Sequence, residues 1–189
     1  MIDKVIMEAK NAVVAAIEGT GDVVNALRTS VKGVVVGTLN DAGDVTNAAV
    51  GTIASIAKGA VTGAASVGTS VADSASDVVS ATVMGVSEAG GDVGRAFKSA
   101  VSGVVHGAAD VGEDVGTTAV NAIDGAIKAA KDIGTDVGQA TQQAVVGAVN
   151  AADHIGDEAG ATVRDALLAT AAFPRDVVEA AIGKKKDSE

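Results

Sequence analysis

The sequence contains no cysteine, no tryptophan and no tyrosine, two phenylalanines and a single proline. Without cysteine there is no disulfide framework, no thiolate metal site and no cysteine nucleophile, and nothing marks a redox compartment. Without aromatics the usual large fillers of a globular interior are missing, so a core must be assembled from alanine, valine, glycine, threonine and serine. Basic residues are the minority, 14 Lys and Arg against 24 Asp and Glu, for a net charge of −10. That balance disfavours nucleic acid and gives no electrostatic pull toward anionic lipid. Long hydrophobic runs are absent as well. Lys58 is the only charge in residues 45–72, but Ala, Gly, Ser and Thr dominate there and leave a weak drive to span a bilayer. The opening residues MIDKVIMEAKN alternate charged and apolar side chains, unlike a secretory signal, so the cytoplasm or a membrane surface is the expected location.

What is present is an apolar fraction of 48%, too high for a disordered chain, and it is placed on a schedule. In residues 112–149, Gly112 and Gly116 give way to Ile123 and Ile127, then to Gly134 and Gly138, then to Val145 and Val149. Each pair is spaced by four and stands one 11-residue step beyond the last, with side-chain size switching at every step. The same 11-residue frame runs from Met1 to Ile182. Five columns, begun at Met1, Ile2, Val5, Ile6 and Ala9, carry a single charged residue, Arg28.

Eleven residues in three turns is 3.67 per turn, close to the α-helix and far from the period of two of a strand. The columns form one broad apolar face. Helices joined along it are expected to supercoil with a right-handed twist, because 3.67 exceeds 3.6. The spacing predicts an all-α chain, with 1–182 one hendecad-repeat region and 183–189 a charged tail. It is read as a very long helix, or as a helical hairpin broken near Gly90 and Gly91, in a right-handed coiled coil, helical tube or bundle. Breaks are signalled at 19–21, at 90–91 and at Pro174, the first two because glycines precede the N-capping candidates Asp22 and Asp92. Continuity through Gly90 and Gly91 is the expectation, since a hairpin has no evident reason to preserve the frame.

The polar side is ordered too. One column carries Lys10, Lys32, Lys98, Lys131, Arg164, Arg175 and Lys186; another carries Asp22, Asp44, Asp77, Glu88, Asp110, Asp132, Asp165 and Asp176. Opposite charge on different columns suits register selection between neighbouring helices. Glycines four apart recur at Gly33/Gly37, Gly59/Gly63, Gly90/Gly94, Gly103/Gly107, Gly112/Gly116, Gly134/Gly138 and Gly156/Gly160. Each interior glycine costs a helix roughly 1 kcal/mol relative to alanine, a loss that close helix packing would offset. Gly90, Gly94, Gly112, Gly116, Gly134, Gly138, Gly156 and Gly160 are therefore expected as notches, and Ile123, Ile127, Val145 and Val149 as the bulky residues that enter them. Gly103, Gly125 and Gly147 lie roughly opposite, which predicts neighbours on both sides of each helix.

No catalytic, cofactor-binding or metal residues are assigned. His106 and His154 have no second ligand at metal spacing, no serine lies in a nucleophile elbow, and no glycine cluster leads into Lys-Ser or Lys-Thr as a phosphate loop requires. The lysines at 184–186 read as a solubilising tail. The unbroken apolar columns resemble the hendecad-repeat right-handed coiled-coil proteins. Segments such as AKGAVTGAASVGTSVADSASD are similar to the lipid-surface 11-residue repeats of synucleins and perilipins, although this chain lacks their repeated flanking lysines. The first resemblance implies a non-enzymatic, self-assembling structural or scaffold protein whose partner is a second copy of itself. The second implies an amphipathic, membrane- or lipid-associated protein using the same face. Neither nucleic acid nor a small-molecule substrate is expected.

Overall fold

The computed structural model describes residues 2–20, 22–41 and 50–183. All secondary structure among them is helical, in α1 (Ile2–Thr20), α2 (Val23–Asp41), α3 (Val50–Ser66), α4 (Val71–Glu88), α5 (Val93–Asp110), α6 (Val115–Ile133), α7 (Val137–Ile155), α8 (Asp157–Ala169) and α9 (Arg175–Gly183). The expected very long helix is not what the chain forms. It is cut at every second step of the 11-residue frame through most of its length, and the pieces fold back on one another.

The cuts are written in a short, repeated stretch. Gly68, Gly90, Gly112 and Gly134 have φ of 79°, 76°, 75° and 74°, a conformation that L side chains resist and glycine adopts freely. The next amide reaches back to close the helix end: Thr69 N–H donates to Ala64 O at 3.0 Å, Gly91 to Val86 O at 2.8 Å, Glu113 to Ala108 O at 2.9 Å and Thr135 to Ala130 O at 2.9 Å. One residue later a capping side chain opens the following helix. Asp92, Asp114 and Asp136 accept from the amides of Arg95, Thr117 and Gln139 at 3.0, 2.6 and 2.8 Å, and Ser70 accepts from Asp73 at 3.3 Å. Glycine, a spacer and a cap thus end one helix and start the next.

The same turn explains why the frame survives the breaks. The valines that open α4, α5, α6 and α7 are Val71, Val93, Val115 and Val137, each two steps of the frame beyond the last. Helix and connection together fill those two steps, so each helix begins in the phase of the one before. Of the breaks signalled in the sequence, the chain does turn at Gly90 and Gly91, α1 ends at Thr20, and Pro174 immediately precedes α9. Gly21, Asp44 and the tail from 184 lie outside the described residues.

From α1 to α7 each helix packs most extensively on its second neighbour: α1 on α3, α3 on α5, α5 on α7, and α2 on α4, α4 on α6. Successive helices also touch, as expected of hairpins with short connections. The result is two layers, odd-numbered helices in one and even-numbered helices in the other. Between them lies an aliphatic core of small residues, including Val31, Val35, Ile56, Val78, Val79, Val101, Ile123 and Val145, all inaccessible to solvent. The apolar face read from the 11-residue columns is therefore the inside of a helical bundle built from one chain, rather than a seam between long helices. No helix of the described residues is long and apolar enough to cross a membrane.

Candidate self-assembly surface

Within each layer the contact is made by glycine. A Cβ placed on Gly103 would collide with the backbone of Ala54, one on Gly125 with that of Ser76, and one on Gly147 with that of Lys98. The separation along the chain is the same in all three. Gly59 meets Ile6, Gly63 meets Lys10 and Gly85 meets Lys32 in the same way, at a separation four greater. The larger separation is found only for pairs whose members lie on either side of residues 42–49. Because the pairs advance together, Gly59 to Gly63 with Ile6 to Lys10, helices of one layer run parallel. Such approach of one backbone to another is available only where no side chain intervenes.

Ion pairs repeat the register. Lys58 Nζ lies 2.6 Å from Asp110 Oδ2, and Lys32 pairs with Glu88 in the equivalent place on the other layer. Arg28, the lone charge on the apolar columns, reaches Asp77 Oδ1 at 2.8 Å. Basic residues of one helix thus meet acidic residues of its second neighbour, within one chain.

The predicted packing residues separate into three groups. Gly90, Gly112 and Gly134 stand in the turns, as does Gly156 at φ 155° and ψ 169°, and no atom lies within 4 Å of a Cβ built on any of them. Gly94 and Gly138 open the following helix, where a Cβ would press only on the capping carboxylate oxygens of Asp92 and Asp136 at 3.2 Å. Gly116 adds contacts to Thr162 and Ala166 of α8, and Gly160 faces Asp153 and Arg164, whose side chains pair at 2.6 Å. Ile123, Val145 and Val149 are buried core residues and Ile127 packs against that core. The size alternation of 112–149 is thus a succession of turns and helix centres, and the bulky residues do not enter those glycines. The glycines that do admit a neighbouring helix are Gly59, Gly63, Gly85, Gly103, Gly107, Gly125 and Gly147. In α4 to α7 their signal is position, ten or fourteen places after the valine that opens the helix.

Helix α2 has glycine at both of these positions, Gly33 and Gly37, counted from Val23. In α4 and α5 the same places are Ala81 and Gly85, and Gly103 and Gly107, all buried. Gly33 and Gly37 are exposed, with no atom within 4 Å of either Cβ position. Asn11 and Ala15, their counterparts in α1, are exposed too. A groove of about 450 Å³ runs between α1 and α2 along this edge, lined by Glu8, Ala12, Thr29, Gly33, Val34 and Gly37 among others. The first helix of each layer thus shows to solvent the face that later helices bury.

Other features are quieter. The histidines each bond back to their own helix, His106 Nδ1 to Ser102 O at 2.8 Å and His154 Nδ1 to Asn150 O at 2.6 Å. No group of three or more potential metal ligands occurs among the described residues. A groove of about 810 Å³ between the N-terminal ends of α5 and α7 is lined by Asp92, Arg95, Lys98, Asp136, Gln139 and Gln143 among others. Asp92 and Asp136 serve there as helix caps, and Arg95 pairs with Asp92 at 3.3 Å. No protein-family model and no curated protein matches the chain.

Proposed function

We propose that this protein is a non-enzymatic structural scaffold that associates with copies of itself into a homo-oligomeric α-helical assembly. The observation that carries the reading is the uncovered Gly33/Gly37 face of α2, whose equivalents in α4 and α5 are buried. A stack of helical repeats has open ends, and remains soluble as a monomer when polar capping repeats close them. Here the leading edge carries glycines and Met7, the most exposed large hydrophobic residue of the described chain. The 11-residue period gives the assembly a right-handed sense where parallel helices meet.

An amphipathic lipid-binding role makes a different demand. The apolar arc faces the core, so a lipid surface would have to open the bundle to reach it. Sedimentation velocity of the full chain in plain buffer across a hundredfold concentration range tests the proposal. Concentration-dependent growth of the sedimenting species is expected; a monomer at every concentration would overturn it.

A further inference from the structure

We propose that α9 is a fold-back strap that closes the trailing edge of the odd-numbered layer, and that its release opens that edge and lets copies of the chain associate further. The inference rests on the self-association reading above and adds a control to it.

The place of α9 follows from the register of the layers. A helix turns its eleventh residue toward the helix before it in its layer and its sixth toward the helix after, as Gly147 of α7 meets Lys98 of α5. The fifteenth and tenth positions do the same, as Gly85 meets Lys32. On α7 the residues left for a following helix are Gln142 and Val146. Helix α9 packs on α7 and, less, on α8, and on no other helix of the described residues. It therefore lies on the side of α7 away from α5, the side that carries Gln142 and Val146, and both are half-buried. In α8, counted from Ala159, the tenth place is Leu168. No helix follows in that layer, and Leu168 is 41% exposed.

Helix α9 is built as an ending. Helices α4 to α7 have 18 or 19 residues, whereas α9 has nine. Its Val178 and Ala181 are buried, while Arg175, Asp176, Glu179 and Ala180 are exposed. The outer side carries an ion pair, Arg175 Nε to Glu179 Oε1 at 3.3 Å, in place of a glycine notch. A polar outer face of this kind closes a stack of repeats.

The hinge is legible as well. Counted from Ala159, two steps of the frame beyond Val137, a helix as long as α7 would end at Val177. Instead α8 ends at Ala169, and Pro174, whose carbonyl accepts from Val177 and Val178 N–H at 3.1 and 3.2 Å, leads into α9. Proline inside a helix forfeits a backbone bond and clashes with the preceding turn, so it holds the break. The apolar frame nevertheless passes through it. Val163 and Leu167 lie on the frame in α8, Val178 and Ala181 in α9, and all four are buried. Helix α9 is thus the second half of an even-layer repeat turned back onto the odd layer. Straightened onto α8, it would keep one apolar face and leave Val146 bare. Ala171, Ala172 and Pro174 of the connection are exposed, and Phe173 among them is buried and anchors the closed form.

The chain has no cysteine, so Val146→Cys gives a single reporter beneath the strap. Its rate of reaction with a soluble thiol reagent is measured in the full chain alone, with Val178→Asp, which puts a charge in the buried seat, and with Pro174→Ala, which removes the enforced break and leaves the side chains of α9 unchanged. Circular dichroism checks that no more helix is lost than the nine residues of α9. Where Val178→Asp loses more, Pro174→Ala decides alone. The strap predicts reaction at least tenfold faster with Val178→Asp and at least twofold faster with Pro174→Ala. Without the reporter, both variants should sediment as larger species than the wild type at equal concentration. An unchanged reaction rate would overturn the strap. Faster reaction with no gain over an associating wild type would overturn the control on assembly while leaving self-association standing. Growth of the variants beside a monomeric wild type would keep the strap and remove the open-edge reading. Monomers throughout would remove self-association and the control with it.

Discussion

Glycine does two different jobs in this chain, and they predict different responses to the same substitution. At Gly103 a methyl group would be driven into the Ala54 backbone, so Gly103→Ala is expected to destabilise by about 1–3 kcal/mol, the usual range for overpacking. At Gly112 there is space, but φ is 75°, and alanine in that conformation costs roughly 1–2 kcal/mol. At Gly37 neither restriction applies to the isolated chain. Gly37→Ala should raise monomer stability by up to about 1 kcal/mol through helix propensity alone. Urea denaturation at a concentration low enough to keep the chain monomeric checks all three, and an equal loss at every site would sink the assignment. The sequence makes glycines four apart conspicuous but does not sort them. Gly112/Gly116 and Gly103/Gly107 look alike as spacings. They differ because the first pair flanks Asp114, a cap whose carboxylate fits only where a helix begins, while the second lies mid-helix.

At the scale of the element, the caps hold the turns in place. Asp114→Ala removes the acceptor for Thr117 N–H and should cost about 0.5–2 kcal/mol, with Asp114→Asn recovering most of it. Lys58→Ala, by contrast, breaks a partly exposed pair with Asp110 and should cost no more than about 1 kcal/mol. Thermal unfolding of the three variants separates these expectations, and a Lys58 loss exceeding the Asp114 loss would contradict them. Helix content is legible from the 11-residue columns because a 3.67-residue period fits no strand. The helix ends are less so, for a physical reason. The structural repeat is two such steps long, so the turns at Gly90, Gly112 and Gly134 leave the apolar frame undisturbed. A continuous frame therefore does not separate a continuous helix from a folded one. The glycine, spacer and acid at 90–92, 112–114 and 134–136 is the signal that does.

At the scale of the whole molecule, contacts between second neighbours make stability a sum over units and their interfaces. Removal of residues 93–136, one odd and one even helix with their connections, joins Asp92 directly to Val137 and preserves the turn. The shortened protein should remain helical and fold cooperatively, at a lower midpoint in urea. Loss of cooperative folding would argue against a modular stack. The sequence makes the sidedness of the helices legible through Gly103, Gly125 and Gly147, but not the direction of closure. An apolar face satisfied by another part of the same chain and one satisfied by another molecule have the same composition. Only the turns distinguish them, and they turn the chain upon itself nearly everywhere except at its leading edge.

Self-association is most directly tested at that edge. Gly33→Leu with Gly37→Leu adds bulk to the open face, where no atom lies within 4 Å of either Cβ position. The decisive measurement is sedimentation velocity of this double variant beside the wild type, at concentrations where the wild type associates. A folded monomer is predicted, with a thermal midpoint no lower than that of the wild-type chain. A variant that sediments as the wild type does would contradict the assignment of this face as the assembly surface.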